Sequence, residues 1–309
     1  MSSFKVQQSL LLTINGIKKI HLSLSQYGKL KPKDLLTTEH TTAGRLKPEQ
    51  HVDNLIKAGE LADPTSPLLA ISCRNILSNL RCIAYKSTAQ DGQIASVEEE
   101  VFSPHRPYFV FGEKDGRLQM TTFTPETGQE KTFEWFFSGV PVVWENMNEE
   151  ALFKKIVTEA ADHSHVWRLP RGAHPKATEN TQQNWEALHG LFIRSIGQPS
   201  ETAFGHLAKY AAAQHLKRED DYLHNILGLN EAGHLIQYCG KGKLEDLGRH
   251  LLSHGVKSAI MVDNSGSVTT IFFPKGAQTE NPIQLFAAPN HRHAGTAYLI
   301  VELLDAAFQ

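Results

Sequence analysis

The apolar positions of residues 1–145 recur with the spacing of β-strands. Ser9–Ile14 is a short apolar run, and Ile17–Leu24 alternates apolar with polar residues. The Asn15-Gly16 pair between them favours a two-residue turn, so a β-hairpin is predicted over residues 1–25. Asp115-Gly116 predicts a second hairpin for the same reason. A short helix is predicted at Val52–Leu61, and further strands at Leu68–Ile71, Ile83–Tyr85, Val97–Phe102, Tyr108–Gly112, Leu118–Phe123, Thr132–Phe137 and Val140–Trp144.

Helical periodicity replaces this pattern in the middle of the chain. It begins after Asn148-Glu149-Glu150, whose acidic side chains suit the N-terminus of a helix. Asn184–Ile196 and Ala203–Leu216 carry the clearest apolar repeat at helical spacing. Residues 149–216 are therefore predicted to form a helical block.

The last third of the chain returns to strands, with one helix among them. The helix is predicted at Leu244–Ser253, between two strand pairs. The strands are predicted at Leu223–Leu229, Leu235–Cys239, Ser258–Val262, Val268–Phe273 and Thr296–Leu303.

This order predicts an α+β fold with a large, mainly antiparallel mixed sheet flanked by helices. No repeat of 20–50 residues is visible, which disfavours solenoids and propellers. The 309 residues are predicted to form a single domain, 1–309. Its parts are a strand-rich region at 1–145, the helical block at 149–216 and a hairpin, helix and strand core at 217–309.

Charge and cysteine content narrow the function classes. Lys and Arg number 31 and Asp and Glu 33, so the net charge of −2 lacks the basic excess that nucleic acids or anionic membranes require. The three cysteines, Cys73, Cys82 and Cys239, have no metal-site spacing and fit a reducing compartment. The apolar run at Ser9–Ile14 is too short for a membrane span or a signal-peptide core. A cytoplasmic protein that binds neither nucleic acid nor membrane is expected.

Short motifs in the last third carry a first resemblance. Asn230-Glu231-Ala232-Gly233 precedes a strand, Leu244–His254 is helical, and the next strand ends at the turn Asp263-Asn264-Ser265-Gly266-Ser267. This order resembles the phosphodiester glycosidase domain family, in which a helix precedes a strand ending in an Asp-Gly-Gly-Gly-Ser turn. The resemblance implies a phosphodiester glycosidase-like scaffold. It also implies an alternative function, a hydrolase that relies on Asp263 and neighbouring loop groups.

The turn differs from the family pattern at two glycine positions, which are Asn264 and Ser265 here. Glycine permits positive φ and a close approach of the backbone to a ligand. A purely structural interpretation also exists for Asp263, because aspartate often caps the backbone of its own turn.

A second resemblance rests on Arg74 and Glu99, which are separated by 25 residues (99 − 74). Their spacing and setting are similar to those of bacterial Pictet-Spengler enzymes of the marinacarboline and kitasetaline type, which build β-carbolines. The resemblance implies that Glu99 acts as acid and base and that Arg74 assists it. The family's histidine between these positions has no counterpart, and His105 is the nearest substitute.

That resemblance implies condensation of L-tryptophan with an α-oxo aldehyde by a homodimer that needs no cofactor for cyclisation. Glu99 and Arg74 are the predicted catalytic residues. The predicted substrate-binding residues are His105, Asp263, Asn264 and Ser265. A non-catalytic relative that binds tryptophan or sugar is a further alternative.

The residues around Glu99 support this interpretation in part. If residues 96–102 form a strand, Glu99 shares an apolar face with Val97 and Val101, while Glu98 points the other way. Burial there would raise the pKa of the carboxyl towards the range useful for proton transfer. A solvated acidic edge strand is the alternative.

Arg74 also has two interpretations. It lies among apolar residues, where a guanidinium requires a partner, and the fork of its N–H groups matches a carboxylate. That carboxylate could belong to the aldehyde substrate or to Glu99 in an internal ion pair. Arg81 is the neighbouring candidate if the strand register is shifted.

Other chemistry lacks sequence support. His163-Ser164-His165 and His291-Arg292-His293 have no acidic or cysteine partner at metal-site spacing, so no metal site is predicted. Ser265-Gly266-Ser267 is not a nucleophile elbow, and no glycine-rich phosphate motif occurs.

Overall fold

The computed structural model describes residues 9–24, 46–61, 63–73, 83–87, 95–96, 108–123, 129–144, 222–242, 244–274, 282–288, 295 and 297–304. The chain divides into two compact units. One comprises Met1–Val143, Tyr222–Gly242 and Leu247–Gln309, and the other Trp144–Asp221 and Lys243–Asp246. Nearly all of the described residues belong to the first unit.

The described residues contain fourteen strands and two α-helices. The helices are α1 (Pro48–Lys57) and α2 (Leu244–Ser253). The strands are β1 (Ser9–Ile14), β2 (Ile17–Leu24), β3 (Leu68–Cys73), β4 (Ile83–Lys86), β5 (Ala95–Ser96), β6 (Tyr108–Lys114), β7 (Arg117–Phe123), β8 (Trp135–Trp144), β9 (Tyr222–Asn230), β10 (Leu235–Gly242), β11 (Val256–Asn264), β12 (Thr269–Phe273), β13 (Ile283–Ala287) and β14 (Ala297–Leu303).

These strands form two sheets. Nine strands form one sheet, in the order β1-β10-β9-β11-β8-β4-β5, with β6 paired to β7 and β8. The other sheet has five strands in the order β13-β12-β3-β14-β2. The registers between strands within each sheet are antiparallel, as in β10 with β9 and β14 with β3.

The predicted α+β class, with one large mixed sheet flanked by helices, is wrong. The described residues are β-rich, and β2, β3 and β12–β14 pair among themselves in a sheet of their own. The helical signal behind the prediction came mainly from 149–216, which lies outside the described residues.

The two predicted hairpins have opposite outcomes. Asp115-Gly116 joins β6 to β7, and both residues have positive φ, which fits the primed turn of a tight hairpin. The hairpin predicted over residues 1–25 is wrong, because β1 pairs with β10 while β2 pairs with β14. Asn15-Gly16 therefore connects the two sheets.

Helix α1 covers one face of the five-stranded sheet. Pro48 occupies its first turn, and the Lys47 backbone N–H donates to Gln50 Oε1 at 2.9 Å, which satisfies a group at the helix start. Residues of α1, Leu61 shortly after it, and alternate residues of β3, β12 and β14 share one buried cluster: Val52, Leu55, Leu61, Leu68, Ala70, Ile271, Phe273, Tyr298 and Ile300. This cluster fixes which side chains of the sheet face α1.

The opposite face of the five-stranded sheet meets the nine-stranded sheet. Asn225 of β9 donates to the Ser72 carbonyl of β3, and Gln237 of β10 donates to Thr270 of β12. The two sheets are therefore tied by buried polar side chains as well as by apolar packing.

Candidate functional site

A network of polar side chains lies between the two sheets. We call Asn225, Gln237, Cys239 and Thr270 the interlayer network. The Gln237 amide nitrogen lies 2.7 Å from Thr270 Oγ1 and 3.1 Å from Asn225 Oδ1. Asn225 Nδ2 donates to the Ser72 carbonyl at 2.6 Å. The network holds Ser72 and Cys73, the last residues of β3, against the nine-stranded sheet.

Asp263 stands beside this network because of a β-bulge. Met261 pairs with Ile226, but the next register pair is Asp263 with Asn225, which leaves Val262 as an extra residue. Directly paired residues share a face of the sheet, so the bulge turns Asp263 towards the five-stranded sheet. The side chain is 3% exposed, and Ser267 Oγ donates to Asp263 Oδ1 at 2.6 Å.

The negative charge of Asp263 helps to raise the pKa of three neighbouring groups. Burial is the main cause that raises the pKa of Cys239 to about 12, and Asp263 adds to it. Burial and then Asp263 raise the pKa of Cys73 and of Tyr298, and Glu49 raises that of Tyr298 further. Both thiols are therefore neutral near pH 7.

A row of hydroxyl groups crosses the face of the five-stranded sheet that α1 covers. We call Ser23, Ser72, Thr269 and Tyr298 the hydroxyl row. Tyr298 pairs with Ser23 on one side and with Ser72 on the other, and the Thr269 N–H donates to Ser72 Oγ at 3.0 Å. All four residues are buried. The row lies at one end of the apolar cluster under α1.

One part of the hydroxyl row is fully hydrogen-bonded. His51 of α1 has Nδ1 2.9 Å from Ser23 Oγ and Nε2 2.9 Å from the Gly295 carbonyl. A carbonyl only accepts, so Nε2 carries the proton and Nδ1 accepts from the Ser23 hydroxyl. Burial lowers the pKa of His51 to about 4, which keeps this tautomer neutral. The pair has the partners of a nucleophile and base, but both residues are buried, so we assign it a structural role.

The other part of the row, together with Glu49 of α1, has unused hydrogen-bonding capacity. Within the described part of the chain, Tyr298 Oη, Thr269 Oγ1 and Glu49 Oε2 are buried atoms without a hydrogen-bond partner. Glu49 lies one helical turn before Val52, which packs in the same cluster as Tyr298. Buried polar atoms without partners are uncommon and call for a ligand, an ion or a water.

The predicted site residues fall into two groups. Glu99, Arg74 and His105 lie outside the described residues, so their roles stay predictions. The backbone of Asp263, Asn264 and Ser265 is described, with Asp263 and Asn264 ending β11 and Ser265 opening a 3₁₀ turn at Ser265–Ser267. Among described non-glycine residues only Asp115 has positive φ, so the turn accommodates Asn264 and Ser265 without the conformation reserved for glycine.

Sequence reasoning missed Tyr298, Thr269 and Glu49. Tyr298 belongs to the run Ala297–Leu303, in which every residue is buried, and such a run resembles any central strand. Glu49 looks like an ordinary acidic residue in the first turn of a helix. Only the cross-strand register and the placement of α1 bring these groups into one row.

The described residues contain neither a cluster of metal ligands nor a membrane-spanning helix. No group of three or more His, Cys, Asp or Glu in that part of the chain could hold a metal ion. None of the described helices is long and apolar enough to cross a membrane.

No family model and no curated protein matches the chain. Among solved structures, it is similar to the catalytic domain of zebrafish N-acetylglucosamine-1-phosphodiester α-N-acetylglucosaminidase, auto-inhibited by its pro-peptide. The identity is 10% and the TM-score 0.35, over 96% of this chain and 88% of that one. A hypothetical protein from Synechocystis gives 9% identity and a TM-score of 0.35, over 95% of this chain and 59% of that one. These scores are too low for either similarity to assign a family or a function.

Proposed function

We propose that the protein is a Pictet-Spengler cyclase that condenses L-tryptophan with an α-oxo aldehyde. The observation that carries the proposal is the buried carboxylate of Asp263 between the two sheets. The residue is 3% exposed, the bulge at Val262 turns it towards the five-stranded sheet, and Ser267 Oγ donates to Asp263 Oδ1 at 2.6 Å. A buried carboxylate held in this way suits a cationic reaction intermediate.

The reaction passes through a cation. The tryptophan amine adds to the aldehyde carbon and a water molecule leaves, which gives an iminium ion. The indole ring then forms a C–C bond to the iminium carbon, and the indole carbon that reacted loses its proton. A fixed negative charge in a site with little water stabilises the iminium ion more than it stabilises neutral reactants.

In this proposal the residues divide the work. Glu99 protonates the leaving water and later removes the indole proton, a contribution of about 10²- to 10⁴-fold. Asp263 faces the iminium charge, and Ser267 orients its carboxylate. Arg74 follows Cys73 directly in the sequence and binds the carbonyl or carboxylate of the aldehyde. His105, Asn264 and Ser265 complete the substrate contacts.

The test is formation of the tetrahydro-β-carboline from L-tryptophan and methylglyoxal, followed by the mass of the product. Glu99→Gln should lower the rate by about 10²- to 10⁴-fold. Asp263→Asn should lower it by about 10²-fold because a cation loses its counter-charge. Glu98→Gln is the matched control, since its side chain is predicted to point to the opposite face. Product at the protein-free background rate would reject the proposal.

A second candidate is a hydrolase acting on a phosphodiester-linked sugar through Asp263. The order of β9, β10, α2, β11 and the following turn favours it, because this is the order that the phosphodiester glycosidase resemblance implies. The buried negative charge of Asp263 opposes it, since this charge repels an anionic phosphodiester. Hydrolysis of a sugar phosphodiester that is lost in Asp263→Ala and unchanged in Glu99→Gln would establish this alternative.

A further inference from the structure

Three buried polar atoms beneath α1 have the composition of a cation-binding subsite. Glu49 Oε2, Tyr298 Oη and Thr269 Oγ1 are all inaccessible to solvent, and none has a partner among the described residues. Two are hydroxyl oxygens and one belongs to a carboxylate. None of these atoms takes part in the roles assigned to Asp263 or Glu99.

Tyr298 and Thr269 lie on either side of Ser72, and Glu49 acts on Tyr298 through its charge. Tyr298 pairs directly with Ser72, and the Thr269 N–H donates to Ser72 Oγ. Tyr298 and Thr269 therefore flank Ser72 from the two neighbouring strands, on the face that α1 covers. The ring of Tyr298 lies 4.8 Å from that of His51, which fixes it beneath the first turns of α1, where Glu49 stands.

The other polar groups in this region form hydrogen bonds that do not involve the three atoms. His51 and Ser23 use each other and the Gly295 carbonyl. Ser72 Oγ accepts from Thr269 N–H. In this region Thr269, Tyr298 and Glu49 therefore keep unused capacity, and we call them the stretch.

We propose that this stretch binds the ammonium group of a primary amine. An ammonium carries three N–H donors and no acceptor, and the stretch offers three acceptor oxygens, one of them charged. A hydrogen bond between two charged groups is about twice as strong as a neutral one. Glu49 is partly exposed, which places its end of the stretch near the surface at the start of α1. The stretch lies on the face of the five-stranded sheet opposite to Asp263, so the inference goes beyond the proposed function and does not rest on it.

Calorimetric titration with tryptamine and with tryptophol tests the subsite. The two compounds share the indole and differ in an ammonium against a hydroxyl group. Tryptamine should bind at least about tenfold more tightly, because a charged hydrogen bond contributes about 1.5–3 kcal/mol. Equal affinity for the two compounds would overturn the proposal.

Two variants locate the effect. Glu49→Gln should remove most of the preference for tryptamine and leave the affinity for tryptophol unchanged. Tyr298→Phe should weaken tryptamine binding about threefold to tenfold, with no loss in the urea midpoint, because its hydroxyl has no protein partner to lose. Tyr238→Phe, in a buried tyrosine of β10 whose ring lies against His250, is the matched control.

Ordered water bound to the three atoms would give a different result from an ammonium site. If ordered water satisfies the three atoms, Tyr298→Phe lowers the urea midpoint and leaves the preference between the two compounds unchanged, and the proposal is then wrong. Failure of the proposed function is separately visible. A protein that prefers tryptamine but forms no β-carboline retains the subsite and loses the cyclase assignment.

Discussion

The two parts of the hydroxyl row differ in hydrogen bonding although they lie side by side beneath one helix. Ser23 and His51 satisfy each other and the Gly295 carbonyl. Tyr298, next to Ser23 across the strand pair, has a hydroxyl group with no partner in the described part of the chain. Burial alone therefore does not distinguish structural polar groups from binding groups. Unused hydrogen-bonding capacity distinguishes them, because a buried polar group without a partner costs stability unless a ligand supplies the missing hydrogen bond.

Among the changes considered, acid should lower the stability of the folded protein most. Burial lowers the pKa of His51 and of His224 to about 4, below the value near 6.5 of an unfolded chain. Between these values the unfolded state binds protons that the folded state does not, so stability falls as pH falls from about 6.5 to about 4. Each histidine should contribute a loss of about 3 kcal/mol between pH 7 and pH 4.

Urea unfolding at a series of pH values measures this loss. His51→Gln should reduce the pH slope of the unfolding free energy, whereas His234→Gln, in an exposed histidine, should leave it unchanged. The same slope in wild type and His51→Gln would show that His51 is protonated equally in both states.

The next largest effect is expected from removing the imidazole at constant pH. His51→Leu removes the imidazole acceptor of the buried Ser23 hydroxyl and one of the two donors to the Gly295 carbonyl, which keeps its bond from the Leu46 N–H. The unfolding free energy at pH 7 should fall by about 1–3 kcal/mol. A loss below about 0.5 kcal/mol, the usual range for a surface substitution, would contradict the structural role of this pair.

The smallest expected effects come from two substitutions that compare the two parts of the hydroxyl row directly. Ser23→Ala removes a hydroxyl that donates to His51 and should lower the unfolding free energy by about 1 kcal/mol. Tyr298→Phe removes a hydroxyl without a partner and should change it by less than about 0.5 kcal/mol. Urea unfolding of both variants in one buffer decides the matter, and equal losses would mean that the two halves of the row do not differ.

Local signals in the sequence predicted the elements well where the chemistry is local. Asp115-Gly116 specifies its hairpin because both positions need positive φ, and Leu244–Ser253 is the helix that its apolar period predicts. Asn15-Gly16 carries a similar turn signal, and Gly16 does have positive φ. The strands on either side nevertheless find partners far along the chain, β10 and β14, because pairing of buried strands overrides a turn preference.

The candidate site was only partly predictable for the same reason. Asp263 follows from the turn residues that surround it, but its orientation depends on the bulge at Val262, which no local pattern announces. The hydroxyl row depends on strand register across β12, β3, β14 and β2. Glu49 and Tyr298 are distant in sequence, and neither residue is unusual where it stands.

The most direct test of the cyclase assignment is the mass of the product from L-tryptophan and methylglyoxal. We expect a product with the summed mass of both reactants less one water, formed faster than in buffer and slowed by about 10²-fold in Asp263→Asn. Formation of that product at the same rate in wild type, in Asp263→Asn and in buffer would contradict it.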